Sequence, residues 1–283
     1  MNSGKVKYDA IEIPASLGEV IDKGVERGRR RKRLSALRRT AGAAAAAVVI
    51  LFAGANIAPV YSYAADIPVL GEIVRVLHVG SGGSVTDGAQ TGAQSDGETA
   101  VLTFTGASGG SLSEAPAYAA EHFQAPNRIV LTLHGVRGAD LEEISAKLLE
   151  CDAVVDVYRN MVLDDSAVGL TIVLRGGVDY EISEHANPGT LSFSFTESGE
   201  ASGEVYYLRS EAMPYSETLG HLCEQYRAED ASQVKTQSGG YFVAIGQYGT
   251  KVEAEAALEL LNETYGDTGF YVSSGESGEV PVE

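Results

Sequence analysis

The sequence predicts an α+β chain with three parts: a single transmembrane helix, a β-rich sandwich-like middle domain, and a C-terminal ferredoxin-like domain of two β-α-β passes. Three observations carry this expectation. Residues 41–60 (AGAAAAAVVILFAGANIAPV) are uncharged and apolar, with a basic cluster on one side only. Between about 116 and 198, short alternating runs of Val, Ile, Thr, Phe and Tyr are punctuated by Gly, Pro and Asn, which is how strands and turns read. From 203 to 273 the period changes to strand, helix, strand, twice over.

The first part follows from length and charge. The run before Tyr61 is 20 residues long, enough to cross roughly 30 Å of hydrocarbon. Arg29, Arg30, Arg31, Lys32, Arg33, Arg38 and Arg39 precede it, and the first charges after it are Asp66 and Glu72. Positive charge stays inside, so residues 1–39 are expected in the cytoplasm and the C-terminal region outside the cell membrane. Cleavage after Ala64 is the alternative, because Ser62-Tyr63-Ala64 has small residues at signal-peptidase offsets. The 39-residue basic region ahead of the run favours a retained anchor. Within it, Leu17, Val20, Ile21 and Val25 form a helical stripe, so residues 1–39 read as a basic helical arm. Its cations would meet anionic membrane lipid or dock a cytoplasmic partner; both readings stand.

The next segment, 62–115, is expected to hold a juxtamembrane helix at Ile67–Val79 and a flexible Gly/Ser-rich linker over 80–97. Thr99–Thr105 alternates as a strand inside it. In the middle domain, 116–198, strands are expected at 128–134, 153–157, 168–174, 180–183 and 190–195, with a helix over 140–149 capped by Asp140. In the C-terminal domain, 203–273, strands are expected at 205–208, 233–235, 241–245 and 270–272, and helices at 215–227 and 252–265. The tail 274–283 is polar and expected to be disordered.

Charge limits the partners. The chain has 21 Lys and Arg against 39 Asp and Glu, a net charge of −18. Residues 1–39 hold 11 basic and 5 acidic side chains, net +6, and residues 40–283 hold 10 and 34, net −24. The acidic bulk argues against nucleic acid, whose phosphates need clustered cations. Two cysteines, Cys151 and Cys223, make neither a disulfide framework nor a four-Cys zinc site.

Residues 203–273 resemble the SPOR domain, a peptidoglycan-binding module. The resemblance rests on Tyr241-Phe-Val-Ala-Ile-Gly-Gln-Tyr248, on Gly249-Thr-Lys-Val-Glu-Ala-Glu-Ala256 and on Phe270-Tyr-Val272. It implies a non-catalytic domain that reads glycan strands, with Tyr207, Phe242, Gln247, Tyr248 and Tyr271 as the glycan-binding residues, since sugar rings pack on aromatic faces. A polar residue often found mid-strand in that family is Ala244 here. Tyr241, Val243 and Ile245 share one strand face and Phe242 the other; the apolar trio is the buried set, which turns Phe242 outward.

Residues 10–80 resemble an uncharacterised Gram-positive membrane-anchor family found near extracytoplasmic-function sigma factors, through Ile13-Pro14, Val20–Val25, Asn56–Pro59, Tyr63–Ala65 and Ile67–Val74. That resemblance implies an anti-sigma-like topology, with residues 1–39 holding a sigma factor in an envelope-stress regulator. Residues 119–197 are similar in pattern to the AMIN domain, a small β-sandwich that directs proteins to the cell wall, through Arg128–Val136.

No constellation reads as an enzyme. His78, His122, His134, His185 and His221 are scattered, and none lies in an HExxH or Gly-x-Ser-x-Gly context. Glu142-Glu143 and Asp164-Asp165 read as solvated acids, and the Gly106–Gly110 run lacks the Lys-Ser/Thr of a phosphate loop. No catalytic residue, metal ligand or cofactor is expected. Three functions remain: a peptidoglycan-binding protein of the cell envelope, a sigma-factor regulator, or a structural envelope protein whose external domains bind another protein.

Overall fold

A computed structural model describes residues 72–198 and 203–282, which lie in one compact unit, Tyr61–Glu283. The described chain is mostly β: fifteen strands in three sheets, with three α-helices. This corrects the expected single-span α+β fold. No helix among the described residues is long and apolar enough to cross a membrane, and the longest is 15 residues, short of the roughly 20 a span requires. Residues 40–61 and the arm 1–39 lie outside the described residues. The membrane-anchored, single-pass localisation therefore has no support here and is withdrawn.

The first two sheets form a sandwich. One is six-stranded, in the order β1 (Glu72–Leu77), β10 (Val178–Ala186), β11 (Thr190–Glu197), β4 (Thr99–Thr105), β3 (Ala89–Ser95), β7 (Val136–Ala139). The other is five-stranded, in the order β2 (Gly80–Gly82), β5 (Tyr118–Gln124), β6 (Asn127–His134), β9 (Ala167–Leu174), β8 (Val154–Asn160). Alternation sends Leu102, Phe104, Leu191, Phe193 and Ile182 from the first sheet, and Ile129, Leu131, Leu133, Leu170 and Ile172 from the second, into one shared core. Each such buried side chain contributes about 1.5–3 kcal/mol. Helix α1 (Leu141–Leu148) adds Ile144 and Leu148 to that core. It begins where Asp140 accepts a hydrogen bond from the Glu143 backbone N–H at 3.0 Å, and Glu142 and Glu143 favour the positive end of the helix dipole.

Two N-terminal expectations change. The segment expected as a juxtamembrane helix contains strand β1, because Glu72-Ile-Val-Arg-Val-Leu77 is β-branched and pairs with β10 from Glu72↔Ala186 to Leu77↔Ile182. The expected linker over 80–97 supplies β2 and β3. Its small residues lie on packed faces: Ala89 and Ala93 are buried in the core, where their low bulk lets α1 approach.

The third sheet is four-stranded and fully antiparallel, in the order β13 (Ala231–Lys235), β14 (Tyr241–Tyr248), β12 (Val205–Arg209), β15 (Tyr271–Gly275). Helix α2 (Glu217–Gln225) connects β12 to β13, and α3 (Lys251–Tyr265) connects β14 to β15. Both cover one face, where Leu219, Ala254 and Leu261 pack on Leu208, Val243 and Ile245. This layer docks on the outer face of the five-stranded sheet. The Gln233 amide makes a two-point contact with Met161, accepting from its N–H at 2.7 Å and donating to its C=O at 2.7 Å. Lys235 pairs with Asp156 at 2.9 Å, and Tyr158 packs edge-on against Tyr241. A Cβ at Gly220 of α2 would lie 2.7 Å from the Met161 side chain, so only glycine allows this approach. Every residue of β9 is buried, because the sandwich core covers one side and the docked layer covers the other.

Candidate functional site: the helix-free face of the C-terminal sheet

The site is built by strand alternation. Val205, Tyr207 and Arg209 leave β12 on the face opposite the helices, and Tyr206 and Leu208 leave it on the helix side. Phe242 and Ala244 of β14 and Val234 of β13 join the same helix-free cluster. On β15, Tyr271 stands opposite Arg209 in register. The Tyr207 and Phe242 rings are nearly parallel, 8° apart with centroids at 6.1 Å. The Arg209 guanidinium lies 3.9 Å above the Phe242 ring and 5.6 Å from the Tyr271 ring. A guanidinium between two aromatic faces is held by the ring quadrupoles and by dispersion.

This face is roofed by the chain itself. Ala125, in the turn between β5 and β6, packs in one cluster with Val205, Tyr207, Val234, Phe242 and Ala244. The tail beyond β15, expected to be disordered, lies against this sheet. Ser277 accepts from the Asn127 N–H at 2.9 Å, Pro281 from the Gln237 N–H at 3.0 Å, and Val280 from the Gln237 amide at 2.8 Å. Val282 accepts from Arg209 at 3.4 Å. Phe242, expected to face outward, is fully buried, because both faces of β14 are covered.

The five residues expected to bind glycan divide three ways. Tyr207, Phe242 and Tyr271 come together on the helix-free face; Tyr207 is 3% exposed and Tyr271 is 38% exposed. Gln247 is tied to the sandwich: its carbonyl accepts from the Gln124 N–H at 2.6 Å, and its amide donates to His122 C=O at 3.1 Å. Tyr248 packs with the helix-side cluster. The cause of this split is a bulge. Tyr206 pairs with Tyr248 and Leu208 with Ile245, so β14 has one extra residue there. Gly246 takes it up at φ +69°, a conformation that reverses the alternation and suits glycine.

Arg128 and His122, not among the expected site residues, lie beside the roof. Arg128 is buried and donates to Ala125 C=O at 3.0 Å, Pro126 C=O at 3.1 Å and Ser232 Oγ at 2.8 Å, which ties the roofing turn to β13. Its position in an alternating strand carried no signal of this role. His78, His122 and Tyr180 form an aromatic cluster, with His78 stacked on Tyr180 at 4.2 Å and His122 edge-on at 5.3 Å. Burial pushes the His122 pKa down, partly opposed by its 2.8 Å hydrogen bond with Asn127.

A second concavity, about 110 Å³, lies between the five-stranded sheet and the docked layer, lined among others by Glu121, Met161, Cys223, Arg227 and Asp230. Burial raises the Glu121 pKa and the nearby Asp230 charge adds to it. Burial also pushes the Cys223 thiol up to about 11, so it stays protonated and a weak nucleophile. Among the described residues, no group of three His, Cys, Asp or Glu side chains is placed to hold a metal ion. No protein-family model matches the chain, and no curated protein is significantly similar to it.

Proposed function

We propose that this chain is a non-catalytic recognition protein that binds glycan strands of peptidoglycan at the Tyr271 edge of the C-terminal sheet, beside Arg209. One observation supports it most: a guanidinium stacked between two aromatic rings, one of them 38% exposed at the sheet edge. An aromatic ring offers a flat apolar face to the C–H side of a sugar, and the adjoining guanidinium, buried and donating to Val282 C=O, carries donors of the kind that sugar hydroxyl oxygens accept. The Tyr207 end is closed beneath Ala125, which leaves the Tyr271 edge to meet the ligand. The test is co-sedimentation of the full chain with purified sacculi, either intact or stripped of stem peptides by an amidase. Binding that rises on stripping and falls at least severalfold in Tyr271→Ala is the expected result. Absence of binding to both preparations overturns the reading.

A further inference from the structure

The tail that roofs the helix-free face is held in an unusual way. It leaves β15 at Gly275, beside Val205, and by Pro281 and Val282 it is bonded to Gln237 and Arg209 at the opposite end of the sheet. It therefore crosses the face along its length. Nearly all of its ties are made through its own backbone carbonyls. Its side chains add little: Val282 is 67% exposed, and the Ser277 hydroxyl is buried without a partner. A segment with few buried apolar side chains opens at low free-energy cost compared with the fold beneath it. One of the groups it engages, Arg209, is among those a sugar would use.

We infer that residues 276–282 are a displaceable strap, which covers the ligand-reading face and competes with glycan for Arg209. This rests on the reading of that face as the glycan site. The strap spans only seven residues, and its carbonyl oxygens present to Arg209 and Gln237 the same acceptor chemistry as sugar hydroxyls and acetamido oxygens. Binding to a face that is open only part of the time is weakened by the fraction open. Removing the strap therefore tightens binding without a new contact.

Three proteins test this: the full chain, the chain ending at Gly275, and Gln237→Ala in the full chain, which loses the side-chain tie to Val280. Binding to amidase-stripped sacculi is measured for each, with and without a synthetic peptide of residues 276–283. The truncated chain is expected to bind about tenfold more tightly, the value for a face open about one-tenth of the time. The peptide should reverse the gain, and Gln237→Ala should fall between the other two. If the full chain binds and a truncated chain with unchanged circular dichroism binds no better, the strap is overturned and the glycan reading stands. If no protein binds, both fall. If the truncated chain does not fold, Gln237→Ala decides, and an unchanged affinity overturns the strap.

Discussion

Arg128 shows how a single side chain can join two layers. It is 1% exposed, three hydrogen bonds satisfy its terminal nitrogens, its guanidinium lies 4.5 Å from the Phe123 ring, and Nε has no partner. Arg128→Ala removes donors from two buried carbonyls and leaves a cavity, so a loss of about 2–4 kcal/mol is expected in urea unfolding. Arg128→Met, which keeps the bulk, should lose less. His122 makes stability depend on pH. Its folded pKa is depressed below the ordinary 6.5, so the unfolded chain takes up the proton first. Its contribution is complete above pH 6.5 and is lost as pH falls through the folded value. Glu121, with its pKa raised, acts in the opposite direction, stabilising the fold as pH falls toward the carboxylate range. The expected outcome is that the urea midpoint drops between pH 7 and 5.5 by less in His122→Gln than in the parent. Equal drops in the two proteins would exclude His122 as the cause.

Elements were legible in the sequence where local chemistry decides them. Helix α3 carries a complete capping box: the Thr250 hydroxyl accepts from the Glu253 N–H at 3.3 Å, and the Glu253 carboxylate accepts from the Thr250 N–H at 3.2 Å. Ala254, Ala257, Leu258 and Leu261 supply its packed stripe. Thr250→Ala should cost about 1 kcal/mol, read as a lower thermal midpoint with unchanged far-ultraviolet circular dichroism at low temperature. Asp140 and α1 were legible for the same reason. β9 was legible as a strand, since Val-Gly-Leu-Thr-Ile-Val-Leu174 is a nearly continuous apolar run; that both its sides are covered came from the packing. β1 was misread because Ile67–Val79 has an apolar content that suits a helix as well as a strand; its pairing with β10, more than a hundred residues away, decided the matter.

At the scale of the molecule, the docked layer and the sandwich share an interface with few alternatives for its polar groups. Gln233 is 4% exposed and stands in for a strand partner to Met161. Gln233→Ala strands both backbone groups, and the expected loss is about 1–3 kcal/mol. Because Arg128, Tyr158 and Lys235 bridge the same boundary, sandwich and docked layer should melt in one calorimetric transition in the parent and in Gln233→Ala. Two resolved transitions in the parent would show that the layers are energetically independent.

Hydrophobic period, caps and turn residues were enough to place α1, α2, α3 and most strands, since each depends on neighbours a few residues away. The same residues, read alone, suggested aromatic groups as candidates to meet a sugar. Which of those groups share a surface depended on distant contacts. The bulge at Gly246 sends Tyr248 to the helix side, Gln247 is taken up by the Gln124 and His122 backbone, the Ala125 turn packs with Phe242, and the tail bonds to the Arg209 that lies over the Phe242 ring. Strand alternation says that two side chains face opposite ways. It does not say what covers either face, because the covering segments lie far away in sequence and are brought there by the packing of the whole chain.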